Sequence, residues 1–404
     1  MENRYEKYKD SGIAWIGEIP EHWELRKGKN LFRLRNSKGN KNAILLAATQ
    51  KYGMIPQSQV EGVVQVKQNT DLNTFKTVHK RDYVISLRSF QGGFEMSEYE
   101  GVCSPAYQVF YSIVPCCNYF FKYLFKSYGF VSQINAFTLG IREGKNIQYD
   151  DFSLMKLPLP TFQEQQSIAI YLDQKCGEID ELIALQEEMI TKLQSYKQSV
   201  IIETVTKGLD KNASLKDSGI EWIGKIPAHW GITKIQYLVQ LKSGYNLTTE
   251  KITDSGLYPV YGGNGIRGYY DKYFLEGDYV LIGRQGALCG NINFSTGKSW
   301  ATEHAVVCYP KIKYVTRWLG ELLRAMNLNQ YSLAAAQPGL AVERIKLLPI
   351  PIIPLSEQQT IADYLDQKCC EIDELISIKL QKIEKLKDYK KSLIFECVTG
   401  KRKV

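Results

Sequence analysis

The chain has 404 residues, 44% hydrophobic and 23% charged, with a net charge of +8. That length exceeds the roughly 250–300 residues one core can organise, so two or more domains are expected. With no apolar run of spanning length, no signal-like segment and nine cysteines lacking any C-x-x-C spacing, the expectation is a cytoplasmic chain with reduced thiols, which argues against a membrane carrier, a disulfide-stapled domain and a zinc ribbon.

Near the start stands SGIAWIGEIPEHW, Ser11 to Trp23. Its tryptophans, Trp15 and Trp23, read as plugs of a globule against a neighbouring element, with His22 packed beside them. Next come short β-branched and aromatic runs broken by Gly, Asp and Pro, such as KTVHKRDYVISLRSF and EGVCSPAYQVFYSIV, followed by the short helix-like segment YFFKYLFKSYGFVSQI. A first β-rich domain over 1–160 is expected, ended by LPLP, which cannot continue a helix.

After Pro160 no proline occurs until Pro227, and apolar residues fall on a heptad register. Leu172, Ile179, Leu193 and Val200 take one position, Leu182, Met189 and Tyr196 a second, and Ile183 and Ile190 widen the stripe, with Gln186 interrupting the seam. The pattern predicts a long helix within 161–211.

Then the chain repeats itself. Leu215 to Trp230 matches Tyr8 to Trp23 at 12 of 16 positions, bringing Trp222, His229 and Trp230 into the same places. A second β-rich domain over 212–353 follows, with strand-like EGDYVLIGRQGALCG and ATEHAVVCYP and helix-like RWLGELLRAMNL. Its GNGIRG, Gly263 to Gly268, spells G-x-G-x-x-G, but the aromatic, turn-rich run after it does not open a helix, so a surface loop is expected and a dinucleotide site is not. The second helix, within 354–404, starts with a 17-of-20 repeat of Glu164 to Ile183 at Glu357 to Ile376. It carries Leu365, Ile372, Leu386 and Leu393, then Leu375 and Tyr389, then Ile376 and Ile383, with Lys379 interrupting the seam where Gln186 does. Gly400 reads as its stop.

Charge orients the helices. Residues 164–181 carry −4, 357–374 carry −5 and 375–404 carry +6. Parallel pairing sets like charges together, so an antiparallel pair on the order of 60 Å long is expected. Over the whole chain the charge alternates, +6 over 1–163, −5 over 164–210, +6 over 211–356 and +1 over 357–404. Nucleic acid is the commonest partner for two basic globules of this kind. No P-loop, H-E-x-x-H or amino-methyltransferase motif occurs, which favours a binding function over an enzyme.

The repeated SGIxWIGxIPxHW, the LPLPTFQEQQ and LPIPIIPLSEQQ exits and the heptad helices after them closely resemble the specificity subunit of type I restriction-modification systems, over essentially the full length. The resemblance implies an α+β, pseudo-twofold tandem repeat: two β-rich target recognition domains joined by two long helices in an antiparallel coiled coil. It implies that each domain reads half of a bipartite double-stranded DNA target, while the helical rod fixes the spacer and docks two modification (methyltransferase) subunits. The heptad residues named above are then candidates for coiled-coil and partner contact. By resemblance the chain itself is non-catalytic and holds no cofactor or metal; S-adenosylmethionine belongs to the modification subunits, and ATP with Mg to added restriction subunits. A coiled-coil adaptor that binds proteins instead of DNA is the alternative.

Base reading takes Arg, Lys, Asn or Gln on loops that reach a groove, and glycine lets the backbone approach. In the first domain LRSFQGGFEMS offers Arg88, Ser89 and Gln91, and GIREGKN offers Arg142, Lys145 and Asn146. In the second, YGGNGIRGYY offers Asn264 and Arg267, GRQG offers Arg284 and Gln285, and AAAQPGL offers Gln337.

Overall fold

The computed structural model describes residues 4–39, 43–49, 52–60, 72–86, 93–139, 147–286, 289–332 and 339–404. The chain forms two compact units, 1–186 with 381–404, and 187–380. Each long helix, Phe162–Lys207 and Leu355–Val398, contributes one half to each unit. Among the described residues no helix is long and apolar enough to cross a membrane.

In the first unit a four-stranded antiparallel sheet runs Phe32–Arg35, Gln108–Ser112, Tyr83–Ile85, Phe94–Met96. In the second the order is Val239–Ser243, Ala305–Pro310, Tyr279–Gly283, Ile292–Ser295, again antiparallel. The order of strands along the chain is the same, although the two middles share no comparable sequence identity. Alternation of side chains explains how both sheets are covered on two faces. Tyr83, Ile85 and Phe110 join a core with Phe120, Phe121 and Phe125 of helix Asn118–Lys126, while Val84 and Val109 face Leu46, Met54 and Val78 on the other side. In the second unit Val280, Ile282, Val306 and Cys308 face Trp318, Leu319 and Leu322 of helix Thr316–Ala325. Leu281, Ala305 and Val307 face the other way, onto Tyr261 and Ala301. One core is mostly aromatic and the other mostly aliphatic, so the topology tolerates either filling.

The repeated motifs form the joint between each globule and its helix. Trp23 and Trp230 are fully buried. Glu164 Oε1 accepts the Trp23 Nε1–H at 3.3 Å and lies 2.9 Å from His22 Nε2. Glu357 accepts the Trp230 Nε1–H at 3.0 Å, and its other oxygen lies 3.0 Å from His229 Nε2. The histidines are hydrogen-bond partners of a carboxylate as well as packing partners, His229 lying edge-on to Trp230 with ring centroids 6.3 Å apart and His22 against Tyr5 at 5.6 Å. The next glutamine caps a helix: Gln165 Oε1 accepts from Cys117 N–H and Gln358 Oε1 from Val315 N–H, both at 2.9 Å. Cys117 and Val315 are the N-cap residues of Asn118–Lys126 and Thr316–Ala325, whose own side chains provide no cap. One aspartate completes the joint, Asp173 accepting from Tyr123 Oη at 2.6 Å and Asp366 pairing with Arg317 Nε at 2.8 Å. Two glycines close it. Gly208 and Gly400 follow the helix ends at φ 72° and 74°. A Cβ on Gly208 would come 3.1 Å from Trp230 Cζ2, and one on Gly400 3.2 Å from Trp23 Cη2 and 2.3 Å from Pro20 Cδ.

Within each unit the long helices run antiparallel, as charge predicts. In the first, Leu172, Cys176 and Ile179 share a core with Leu393 and Cys397, and Lys390 Nζ donates to Asp180 at 2.6–2.7 Å. In the second, Val200 and Val205 share a core with Ile361 and Leu365, and Lys197 Nζ donates to Asp373 at the same distances. The first heptad position holds, with Leu172, Ile179, Leu365, Ile372 and Leu393 buried and Leu193 and Leu386 half-buried. The second needs correction. Leu182, Met189, Tyr196, Leu375 and Tyr389 are 39–51% exposed. Their place in the seam goes to Cys176, Ile183 and Ile190 and to Cys369, Ile376 and Ile383, all buried or half-buried. Two helices in contact bury only a narrow strip, and the i+3 and i+4 steps from Leu172 select that set.

Candidate nucleic-acid interface

In the second unit, loops distant in sequence meet at one end of the main sheet. The turn after Tyr279–Gly283 is closed by Gly283 N–H to Asn291 O at 2.8 Å and Gly290 N–H to Gly283 O at 2.7 Å. Arg284 N–H donates to His304 O at 2.8 Å, and Leu340 N–H donates to Arg284 O at 2.9 Å. Gln285 forms a β-bridge with Gly339. Gly263 is packed in, for a Cβ there would lie 3.3 Å from His304 O and 3.5 Å from Gln285 O. Asn291 Nδ2 donates to Asn264 Oδ1 at 2.6 Å. The G-x-G-x-x-G string is not the surface loop expected from sequence: Gly263 and Asn264 turn the chain between the paired strands Tyr258–Gly262 and Gly265–Tyr270, and Gly265 to Gly268, with the two glycines at φ 98° and 148°, already lie in the second strand, so no helix N-terminus is offered to a dinucleotide.

The sequence-derived candidates separate by exposure. Asn264, Arg267 and Gln285 are exposed. The stem of Arg267 lies over Gly262, where a Cβ would sit 2.4 Å from Arg267 Cδ, so the glycine lets the chain fold flat beneath the side chain. Arg284 is half-buried and donates from Nη1 to Ser243 Oγ at 3.1 Å, which ties its loop to the first strand of the sheet. An anchored guanidinium keeps further N–H groups for a phosphate or base. Two neighbours escaped sequence reasoning. Asn291 braces Asn264, and His304 Nδ1 lies 2.8 Å from Gln285 Oε1. His304 stands alone at the start of a strand run and Asn291 in a short Gly-Asn-Ile-Asn turn, so neither carried a pattern.

Arg88, Ser89, Gln91, Arg142, Lys145 and Asn146 in the first unit, and Gln337 in the second, lie outside the described residues. The chain on either side of the first-unit segments is described, and it brings their bases together. Ser86 N–H donates to Gly93 O at 2.8 Å across segment 87–92. Gln108, opposite Ile85 in the sheet, donates from Nε2 to Gln148 Oε1 and accepts from Tyr149 N–H, each at 2.5 Å, just beyond segment 140–146. In strand order segment 87–92 corresponds to 284–291, and 140–146 corresponds to 333–338, each of the latter pair preceding a short helix, Tyr149–Leu154 or Val342–Ile345.

Directly after segment 87–92, strand Phe94–Met96 carries buried Glu95, which pairs with Lys126. Burial pushes the Glu95 carboxyl up to about 7, and the Lys126 ammonium only partly offsets it. Among the described residues no group of three or more His, Cys, Asp or Glu is placed to hold a metal ion.

Comparisons agree with this arrangement. The family model for the type I restriction modification DNA specificity domain matches residues 20–194 and 227–387. The chain is 41% identical over 134 residues to the type I restriction enzyme EcoprrI specificity subunit of Escherichia coli, covering 32% of this chain and 33% of that one. Over 439 aligned residues, 96% of each chain, it is 26% identical to the putative type I restriction enzyme MjaX specificity subunit of Methanocaldococcus jannaschii. The match to the Escherichia coli protein thus spans a third of that relative's length. Among solved structures, the HsdS subunit from Thermoanaerobacter tengcongensis aligns at TM-score 0.56 and 15% identity over 95% of this chain and 98% of that one. A chain from work on complex assembly and conformational transition of the type I R-M system aligns at TM-score 0.73 and 15% identity over 94% and 98%.

Proposed function

The chain belongs to the type I restriction-modification DNA specificity family, and from that membership we propose that it is the sequence-reading, non-catalytic subunit of a cytoplasmic methylating complex. Each globule reads one half of an interrupted duplex target, and the paired helices set the interval between the halves. The observation that carries this reading is the equal strand order of the two sheets, in which the unlike, glycine-containing sequences 87–92 and 284–291 stand between corresponding strands. A common scaffold with unlike reading loops suits an asymmetric, two-part sequence.

Two modification subunits dock on the helices. Leu182, Leu185 and Tyr389 in the first unit, and Met189, Tyr196, Leu375 and Ile378 in the second, stay exposed on long helices whose seams are already filled. Three pairs of exposed apolar side chains, Leu182 and Leu375, Leu185 and Ile378, Tyr196 and Tyr389, recur at matching repeat positions, which suits contact with protein partners. The modification subunits supply S-adenosylmethionine and the methyl transfer, and restriction subunits, where present, supply ATP with Mg.

The test is to co-express the chain with its modification subunits and map methylated adenine genome-wide, with and without the chain. Methylation confined to one interrupted sequence and dependent on the chain supports the reading. Methylation unchanged by its removal, or duplex binding insensitive to salt, supports the adaptor alternative, since displaced counterions make DNA affinity fall steeply with salt.

A further inference from the structure

The first unit holds a cavity of about 510 Å³ between its main sheet and the paired helices. Met96, Cys176 and Ile394 line its apolar part, and exposed Gly177 stands at its edge, where a Cβ would meet nothing within 4 Å. Four carboxylates and three ammonium groups also line it. Lys126 pairs with Glu95, Lys390 with Asp180 at 2.6 Å and Lys122 with Asp173 at 3.9 Å, which leaves exposed Glu98 as the excess charge. The Glu95 side chain is only 3% exposed, and its Oε2 has no partner among the described residues. A buried carboxylate oxygen without a donor is costly, and here the residue borders open space into which a donor fits. The second unit fills the equivalent place from within. Counted from the matched N-caps Cys117 and Val315, Tyr119 corresponds to Arg317 and Lys126 to Arg324. Both arginines reach buried Glu321 Oε1, at 2.8 and 2.6 Å, Arg317 also reaches Asp366, and both guanidinium groups lie over the Phe294 ring. With Lys197 on Asp373, three cations there meet three carboxylates.

We propose that the cavity of the first unit is a binding site for one guanidinium or alkylammonium group, taken up from outside in place of the guanidinium that Arg317 supplies in the second. N–H donors directed at Glu95 Oε2 and at Glu98 satisfy the buried oxygen and the excess charge together, while the methylene stem packs on Met96 and Ile394. The group comes either from an arginine side chain of a partner subunit or from a free guanidine or polyamine, and the chemistry is the same for both. Burial holds the Glu95 carboxyl at about 7, so an entering cation displaces a proton, and affinity rises with pH until that carboxyl is ionised. Burial holds the Cys176 thiol at about 11 and the Tyr123 hydroxyl above its ordinary value, so both stay neutral over that range. Among the described residues no histidine lines the cavity.

The experiment titrates the full-length chain, carrying isotope-labelled methionine methyl groups, with ethylguanidinium and follows the Met96 methyl signal by NMR, assigned through Met96→Leu. The expected result is a saturable shift of that signal, absent with tetramethylammonium, which carries the same charge and no N–H, and binding about tenfold tighter at pH 8 than at pH 6. Gly177→Leu, which occupies the edge of the cavity and favours the helix, removes the response. Glu95→Gln weakens binding about tenfold or more, the scale of one hydrogen bond to a charged group. Adding the modification subunits separates the two sources. A Met96 signal moved to its ethylguanidinium-bound position, with the probe excluded, assigns the site to a partner's arginine, and an unchanged titration assigns it to a free cation. No saturable shift, an equal response to tetramethylammonium, or undiminished binding by either variant overturns the proposal, and none of these results touches the DNA-reading role.

Discussion

Replacing Glu357 tests the joint of the second globule, the counterpart of the one Glu164 makes in the first. Trp230 is fully buried, and its indole N–H has Glu357 as partner at 3.0 Å, while His229, with its side chain 55% exposed, shares the same carboxylate. Glu357→Leu keeps the volume and leaves the indole N–H in the interior unpaired. Losing a hydrogen bond to a charged acceptor at a buried site costs about 1.5–3 kcal/mol, and the exposed histidine contact adds about 0–1 kcal/mol. The sum, about 2–4 kcal/mol, lowers the melting temperature of a unit this size by roughly 5–15 °C. Glu357→Gln retains an amide oxygen that can accept the indole N–H and costs only about 1 kcal/mol. Thermal unfolding of the full-length chain, followed by tryptophan fluorescence, separates the two. A Leu variant melting within about 1 °C of wild type, or a Gln variant as unstable as the Leu one, refutes the argument that this hydrogen bond holds the joint.

Further expectations follow from the same residues. Gln358→Ala frees the Val315 N–H at the start of Thr316–Ala325 and costs about 1–2 kcal/mol, visible as faster amide exchange over residues 315–319; unchanged exchange rules out the cap. Glu95, raised to about 7 by burial, lends stability that is complete below the unfolded value of about 4.3 and lost as pH rises to about 7, a change of about 3–4 kcal/mol. The stability difference between wild type and Glu95→Gln should therefore slope between pH 4.5 and 7 and be flat above; a flat difference throughout contradicts it. Glu164 goes the opposite way: burial raises its carboxyl, but hydrogen bonds from His22, Thr161 and Trp23 outweigh burial and lower it. Its contribution is complete above about 4.3 and disappears as pH falls through the depressed native value, so Glu164→Gln and wild type converge in acid denaturation.

Much of the architecture was legible because duplication makes a sequence its own alignment. The paired motifs marked the joints, the proline exits marked the helix starts, and the charge imbalance between 164–181 and 375–404 fixed an antiparallel pairing that Asp180 with Lys390 now embodies. The seam was half legible. Leu182, Met189 and Tyr196 keep a heptad spacing, yet the helices close on Cys176, Ile183 and Ile190, the more apolar set and the one that the i+3 and i+4 steps from Leu172 place in the contact strip. The roles of Gln165 and Gln358 were hidden, since capping a helix some 45 residues away in sequence leaves no local pattern. Loop glycines pointed to Gln285, whereas His304 emerged only when Arg284 and the next strand came together.

The central claim, two unlike readers held at a set interval by paired helices, is tested most directly by lengthening those helices together. Seven residues inserted after Lys192 and seven after Lys385 preserve the heptad phase and add about 10 Å of helix, near three base pairs. Mapping methylated adenine should then return the same two half-sequences with a wider gap. Altered half-sequences around an unchanged gap would contradict the account.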